Sequence, residues 1–209
     1  MTSTARRAPW NLARCAQAAT AVAAAADVFR AAAVRDHVLH ATAASQHRSG
    51  LVSTVFVDLM TVAVVLFLVW LARSRRNAQE LSPRAPLPGA VWTVGAWFVP
   101  VVNFIVPRRF VLDIGRASSL AWREKRDTTL VNLWWAAWVA HALVLTVANR
   151  TDPGSMPLLV LAEALMITAA VLLVLVIERV TTLQGFALGD TAPAACVPVA
   201  LISAQKGQR

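Results

Sequence analysis

The chain contains 209 residues, of which 57% are hydrophobic and 15% are charged, and its mean hydropathy is +0.57. Soluble domains are about 45–50% apolar and about 25% charged, and disordered chains require low hydrophobicity. The composition therefore argues against both classes and favours a polytopic membrane protein. The net charge of +9 predicts basic cytoplasmic loops that face anionic lipid. With no zinc-finger spacing and no RNA-recognition aromatics, we expect no nucleic-acid partner.

Four stretches are apolar over about 20 residues, the length that crosses about 30 Å of hydrocarbon; they comprise 12–34, 51–72, 130–149 and 156–177. The first is the weakest because it is mostly alanine. Arg6 and Arg7 precede it as in a signal peptide, but it is longer than a usual signal core. We therefore expect an uncleaved signal anchor rather than a cleaved signal. The breaker cluster 150–155 predicts that the last two stretches form an antiparallel hairpin.

The segment 89–107 is apolar enough to span, but Gly95, Pro100, Asn103 and Pro107 interrupt it. Proline removes a backbone hydrogen bond and bends a helix. Suppose that this segment does not cross and that the N-terminus is cytoplasmic. Then 16 of the 20 Lys and Arg residues, and seven of the eight tryptophans, lie on the cytoplasmic side. If the segment crosses, the best division of the basic residues between the two sides is 12 to 8. The positive-inside rule thus favours a four-helix transmembrane bundle with both termini cytoplasmic, and a Pro-broken re-entrant or interfacial segment.

The stretch 108–126 carries apolar residues at helical spacing, with arginines elsewhere on the helical wheel. We expect a basic amphipathic surface helix lying flat on the lipid; a solvated connector is the alternative. The basic residues predicted to face lipid are Arg108, Arg109, Arg116, Arg123 and Arg126. Residues 1–183 are expected to form a single membrane domain, and residues 184–209 a poorly ordered cytoplasmic tail.

Two sequence patterns carry a resemblance to a known family: Trp-Leu-Ala-Arg-Ser-Arg-Arg-Asn at 70–77, and a Trp-x-x-Pro-x-x-Asn motif followed by a second proline. In the second pattern these positions are Trp97, Pro100, Asn103 and Pro107. Over roughly 51–177 the chain resembles the DUF4328 family, bacterial membrane proteins common in actinobacteria and without an established function. The resemblance implies an integral membrane protein of unknown function and carries over no catalytic residue.

The motif also has a physical interpretation of its own. Pro100 frees the backbone carbonyl about four residues before it, and the Asn103 amide offers two donors and an acceptor in an apolar setting. We expect this amide to cap the broken helix or to bind the freed carbonyl; ligand binding is the alternative.

Four ionisable residues lie inside predicted spans, one in each: Asp27, Asp58, His141 and Glu163. Such residues are costly in a bilayer and are by default candidates for function. Each lies seven or eight residues from the outer end of its span, roughly 10–12 Å deep. Three carboxylates and an imidazole at one depth could hold a metal ion or relay protons. The alternative is local pairing, such as that of Asp27 with Arg30, and ordinary interhelical hydrogen bonds.

The leading functional hypothesis is a non-enzymatic scaffold or accessory protein of the bacterial inner membrane, whose basic cytoplasmic face binds anionic lipid or a protein partner. Homo-oligomerisation is also open, and no cofactor is expected. The first alternative is a small ion or proton transporter that uses the four intramembrane residues. The second is a metal- or redox-cofactor-binding subunit, for which His37 and His40 in the first outer loop are further candidates. Enzyme chemistry is weakly supported, because we find no metalloprotease, nucleophile-elbow or phosphate-loop motif.

Overall fold

The computed structural model describes residues 7–99 and 102–190. All regular secondary structure in these residues is helical, so the prediction of an all-α protein is confirmed. The six α-helices are α1 (Trp10–Leu39), α2 (Ala43–Leu81), α3 (Ala90–Gly95), α4 (Val106–Ser118), α5 (Glu124–Thr151) and α6 (Met156–Leu188). Two short 3-10 turns, Ala96–Phe98 and Val102–Phe104, connect α3 to α4.

Three helices of the described chain are long and apolar enough to cross a membrane, namely α2, α5 and α6. They contain the predicted spans 51–72, 130–149 and 156–177, which confirms apolar helices of spanning length at these three positions. The remaining predicted span, 12–34, lies in α1, which is not among these candidates. Each helix extends beyond its apolar window. For example, α2 starts with a capping box in which Thr42 and Ser45 exchange hydrogen bonds, and it continues through a basic stretch to Leu81.

The helices pack side by side, with α1 lying against α2 and α6, and α5 against α6. We call the end of the bundle that contains the start of α1 and the finish of α6 the proximal end, and the other the distal end. The proximal half holds the main core, in which Trp70, Leu71 and Ile177 are fully buried. The indole of Trp70 donates to Oγ1 of Thr181 at 3.1 Å, so its polar edge is satisfied inside this core.

The predicted single surface helix over 108–126 is wrong. Helix α4 ends at Ser118, a turn follows, and α5 begins at Glu124. Most of α4 is buried, because it packs against α2, α5 and α6 rather than lying flat on lipid. The break lets the ring of Trp122 fold back against Gly115, where a Cβ atom would lie 2.2 Å from the ring.

The predicted start of a poorly ordered tail at residue 184 is also wrong. Helix α6 continues to Leu188 and ends on Gly189, which adopts the left-handed conformation (φ 69°) that favours glycine at a helix C-terminus. Gln184 is completely buried. The rest of the predicted tail, 191–209, lies outside the described residues.

Candidate functional site

Two of the four predicted intramembrane residues come together in the distal half of the bundle. Asp27 is only 1% exposed, and its Oδ1 accepts a hydrogen bond from Nε of Arg30 at 2.6 Å. Glu163 of α6 is also buried and lies close enough to Asp27 and Arg30 for their charges to interact. Asp27 Oδ2 and Glu163 Oε2 are both buried without a hydrogen-bond partner among the described residues. We call Asp27 of α1 and Glu163 of α6 the carboxylate pair; Arg30 forms an ion pair with Asp27 and acts on Glu163 only through its charge.

His141 of α5 is not part of this carboxylate pair, but its side chain contacts the backbone next to Glu163. Its Nδ1 is 2.9 Å from the carbonyl oxygen of Ala162, the residue that precedes Glu163. Because a carbonyl only accepts hydrogen bonds, Nδ1 carries the proton in this arrangement. The imidazole thus joins α5 to α6 through the backbone.

Asp58 is not part of the buried group. It is exposed on α2, as are Thr54 and Thr61, whose hydroxyls donate to carbonyls of their own helix. Asp58 therefore stays apart from Asp27 and Glu163, because α2 turns its larger apolar face, including Phe67 and Trp70, inward instead.

The histidines of the outer loop have separate polar partners. Nδ1 of His37 lies 3.0 Å from Oγ of Ser45, and Nδ1 of His40 lies 3.4 Å from a carboxylate oxygen of Asp36. Within residues 7–99 and 102–190, no group of three or more His, Cys, Asp or Glu side chains is placed to hold a metal ion. The geometry therefore gives the metal hypothesis no support in the described part of the chain.

The motif segment packs on a cluster of aromatic rings. The ring of Trp97 makes edge contacts with Phe67 at 5.2 Å and with Trp135 at 6.0 Å between centroids. The indole N–H of Trp135 donates to the carbonyl of Phe104 at 3.0 Å. A tryptophan of α5, rather than Asn103, thus satisfies a carbonyl of the broken segment.

The remaining motif residues have different roles. Asn103 Oδ1 is buried without a partner in the described residues, so it caps nothing there. Pro107 is buried in the first turn of α4, where a missing N–H costs no hydrogen bond and the fixed φ suits a helix. Pro100 lies outside the described residues.

A large basic groove lies at the proximal end. It has a volume of about 930 Å³ and lies between the start of α1, the last third of α2 and α3. Its lining includes the exposed cations Arg7, Arg73 and Arg76 and the apolar residues Leu12, Leu68 and Val69. We call this the basic groove. It combines three guanidinium groups with an apolar wall and one carboxylate, that of Asp190, which accepts a hydrogen bond from the backbone N–H of Ala8.

The family model of the domain of unknown function DUF4328 matches residues 35–182, well over half of the chain. The chain belongs to the DUF4328 family. No curated protein and no solved structure matches it.

The DUF4328 region includes α2 to α5 and most of α6, and so contains the motif segment, Asp58, His141 and Glu163. Most of α1 precedes the match. Asp27 and Arg7 therefore lie outside the DUF4328 region, and both the carboxylate pair and the basic groove join it to the preceding helix.

The five arginines predicted to face lipid have unequal surroundings in this DUF4328 protein. Arg109, Arg123 and Arg126 are exposed. Arg108 donates to Oδ1 of Asn132 at 2.7 Å, and Arg116 binds the carboxylate of Glu124 through two nitrogens.

Arg116 also lies 3.7 Å from Asp113. Burial raises the pKa of Asp113, and the charges of Arg116 and Arg109 oppose that shift. Of the five arginines predicted to face lipid, Arg109, Arg123 and Arg126 are therefore the ones left exposed and without a side-chain partner in the described residues.

The sequence reasoning missed the basic groove and the hydrogen bond of Trp135. Arg73 and Arg76 are three residues apart, so they lie on one face if 70–77 forms a helix. That Arg7 joins them was not predictable, because it depends on how α1 docks against α2.

Proposed function

We propose that this DUF4328 protein is a non-enzymatic scaffold or accessory protein of the bacterial inner membrane. In this proposal its proximal end faces the cytoplasm and binds anionic lipid, and that face also receives any protein partner or second copy. The observation that carries the proposal is the basic groove, which places three arginines beside an apolar wall.

The chain ends support a fourth membrane span. The backbone N–H of Ala8 donates to Oδ2 of Asp190 at 3.0 Å, so both ends of the described chain lie together. Two such points are on the same side of a membrane only if the chain between them crosses an even number of times. Helices α2, α5 and α6 are long and apolar enough to cross and would supply three crossings. Helix α1, whose 30 residues would extend about 45 Å, supplies the fourth.

Positive charge supports the orientation. With four crossings, the outer side holds only Arg30, Arg35, Arg48 and Arg150, and the other 16 of the 20 basic residues lie on the cytoplasmic side. In this topology 89–107 is a re-entrant or interfacial segment at the proximal end. Its non-helical backbone is covered by protein where Trp135 bonds the Phe104 carbonyl, as such backbone must be within a membrane.

The chemistry of the groove suits a lipid headgroup. A guanidinium binds a phosphate through two parallel hydrogen bonds, and Arg73 and Arg76 both line the groove from α2. Leu68 and Val69 lie about one to two turns nearer the membrane centre. A phosphate at the arginines would therefore leave its acyl chains beside an apolar surface.

Cysteine labelling tests the orientation. In a variant that lacks Cys15 and Cys196, single cysteines are introduced at exposed Arg126 and exposed Arg150, and a membrane-impermeant maleimide is added to intact cells. We expect labelling at 150 and none at 126 until the cells are broken. The reverse pattern would overturn the orientation, and labelling of both positions in intact cells would overturn the four-span topology.

Lipid binding is tested with the double variant Arg73→Gln/Arg76→Gln. Nanodiscs of neutral phosphatidylcholine with increasing phosphatidylglycerol are compared by thermal unfolding, and bound lipid is counted by native mass spectrometry. We expect the anionic lipid to raise the unfolding midpoint of the wild type and to lose most of that effect in the variant. The matched control is Arg48→Gln/Arg150→Gln, which removes equal charge from the other end. An equal response of both double variants would refute a specific groove.

A second candidate function, proton or cation transfer, is favoured by the carboxylate pair. Asp27 and Glu163 each present a buried oxygen without a partner in the described residues. Unpaired carboxylate oxygens inside a bundle are found on ion and proton routes. His141 contacts the backbone next to Glu163 and provides a neighbouring titratable group.

Flux through reconstituted vesicles tests this second candidate. With a pH-sensitive dye inside, an imposed potential should drive proton entry in the wild type and much less in Glu163→Gln. Asp58→Asn is the matched control, because Asp58 is exposed and outside the pair. Equal flux for wild type, Glu163→Gln and empty vesicles, with protons and with monovalent cations, would remove this candidate.

A further inference from the structure

The cations of the basic groove come from two different helices. Arg73 and Arg76 line it from α2, and Arg7, which lies just before the first turn of α1, lines it from the side of α1. Helices α1 and α2 lie against each other and run in opposite directions. The start of α1 and the last third of α2 therefore meet at the proximal end, where the groove has a cationic wall on each side.

Each wall also carries apolar residues nearer the membrane centre than its cations. On α2, Leu68 and Val69 precede Arg73 by four to five residues, or about 6–8 Å along the helix. On the other wall, Leu12 follows Arg7 in the chain. The same order, with the cation toward the proximal end and the apolar residue toward the bundle, thus occurs once on each wall. Each wall by itself suits a phosphate with an acyl chain beneath it.

The charge and the size of the groove exceed the needs of one phosphodiester. Its described lining residues include three arginines and one acid, Asp190, which leaves a net charge of +2. A lipid phosphodiester carries a single negative charge. The volume of about 930 Å³ is about thirty times the share of one water molecule in the liquid, so the groove has room for two phosphates and a bridge between them.

We propose that the basic groove prefers cardiolipin, the lipid in which a glycerol bridge joins two phosphatidyl groups, over lipids with one phosphate. This inference rests on the proposed function, in which the groove binds anionic lipid at the cytoplasmic face. Arg73 and Arg76 bind one phosphate through their paired N–H donors, and Arg7 binds the other. Basic pockets between membrane helices on the cytoplasmic side suit this headgroup. Once one phosphate is bound, the bridge holds the second at a high effective concentration near its own site.

Asp190 has a positioning role in this site. Its Oδ2 accepts a hydrogen bond from the backbone N–H of Ala8 at 3.0 Å, and that N–H belongs to the peptide bond that joins Arg7 to Ala8. The carboxylate therefore fixes the backbone from which the Arg7 side chain extends. This contact accounts for an acidic residue in a site for anions, where its charge alone would weaken binding.

The test compares cardiolipin with phosphatidylglycerol at matched composition. Nanodiscs of neutral phosphatidylcholine receive either phosphatidylglycerol or half as many molecules of cardiolipin, so that both contain the same negative charge and the same number of acyl chains. The full-length protein is followed by thermal unfolding, and bound lipids are counted by native mass spectrometry. We expect the wild type to bind one cardiolipin about tenfold more tightly than phosphatidylglycerol and to unfold at a higher temperature with cardiolipin.

Arg7→Gln removes the cation of one wall only. This variant should bind cardiolipin no more tightly than phosphatidylglycerol. It should keep the wild-type response to phosphatidylglycerol, which also shows that the variant is folded. Arg123→Gln is the matched control, because Arg123 is exposed at the same end of the bundle and does not line the groove. The control should keep the full preference for cardiolipin.

Two variants test the positioning role of Asp190. Asp190→Ala removes the acceptor of the Ala8 N–H and should lose the preference for cardiolipin as Arg7→Gln does. Asp190→Asn retains an oxygen acceptor and should keep the preference. A full preference in Asp190→Ala would show that Arg7 is held without this hydrogen bond and would overturn the positioning role.

The outcomes separate this proposal from the proposed function. Equal binding of the two lipids by the wild type would overturn the preference for cardiolipin, while the groove would still bind anionic lipid. No effect of either lipid on the wild type would refute both. A full preference in Arg7→Gln would also overturn the proposal, because both phosphates would then be bound without the α1 wall.

Discussion

The side-chain amide of Gln184 donates to the hydroxyl of Ser118 at 2.9 Å, and both residues are completely buried. The same amide nitrogen donates to the carbonyl of Ser74 at 2.8 Å, while its oxygen accepts from Asn77 at 3.2 Å. One side chain of α6 thus binds α2 and α4 at the proximal end.

Replacing this glutamine tests how much the contact stabilises the fold. Gln184→Leu keeps the bulk but removes the hydrogen bonds to the Ser74 carbonyl, the Asn77 amide and the Ser118 hydroxyl, of which the last still donates to the carbonyl of Ile114. Since a buried polar group left unsatisfied costs about 1–3 kcal/mol, we expect a loss of about 3 kcal/mol in detergent unfolding. Gln79→Leu is the control, because Gln79 bonds only an exposed loop carbonyl. Similar small losses for both variants would contradict the prediction.

Gly115 tests the turn between α4 and α5. A Cβ atom there would lie 2.2 Å from the ring of Trp122, so Gly115→Ala must displace the indole. We expect destabilisation of about 1–3 kcal/mol, measured as a lower thermal midpoint. Gly95→Ala should have a much smaller effect, since nothing lies within 4 Å of its added Cβ. The double variant Gly115→Ala/Trp122→Leu should recover part of the loss; absence of recovery would place the strain elsewhere.

Replacing Trp135 tests whether its indole N–H protects the Phe104 carbonyl in the broken segment. Trp135→Phe keeps an aromatic ring but leaves the carbonyl of Phe104 without its donor. We expect a loss of about 1–3 kcal/mol and faster amide hydrogen exchange over 102–106. Trp92→Phe, at an exposed site, should change neither quantity. Unchanged exchange in Trp135→Phe would mean that another group covers this carbonyl.

Replacing Asp58 tests whether the exposed face of α2 contacts lipid. It is exposed and has no hydrogen bond or ion pair in the described residues. Because an aspartate in the middle of a membrane helix costs about 2.5–3.5 kcal/mol on insertion scales, Asp58→Leu should raise the unfolding midpoint in nanodiscs. Val55→Leu, at a neighbouring exposed position, controls for added apolar bulk. A lower midpoint together with a smaller particle mass would instead show that Asp58 joins copies of the chain.

Local composition predicted which segments are apolar enough to span a membrane and where the turn between the last two helices lies. The spans over 51–72, 130–149 and 156–177 follow from apolar windows, and the Pro153-Gly154 turn separates the last two helices as expected. Composition could not predict which face of α2 turns inward. Lipid and protein interior are both apolar, so close packing selects the face, and here it selected Phe67 and Trp70 over the polar stripe of Asp58.

The end of α4 was unpredictable for a similar reason. Apolar residues continue at helical spacing through Trp122, so periodicity alone extends the helix. The break depends on long-range contacts, in which Ser118 meets Gln184 of α6 and Arg179 of α6 donates to the carbonyl of Ala121 at 3.1 Å. Of the candidate site, the sequence placed Asp27 and Glu163 at one depth together with Asp58 and His141, but which of the four meet depends on how α1 packs on α6 and which face α2 turns inward.

The hydrogen bond between Ala8 and Asp190 also sets an order of events during biosynthesis. Helix α1 is the first of the described helices to be synthesised, and the residue that binds its beginning follows the last of them. This contact therefore cannot form until α6 has been made. Because Ala8 and Asp190 both line the basic groove, the wall of that groove is complete only after the last described helix has been synthesised.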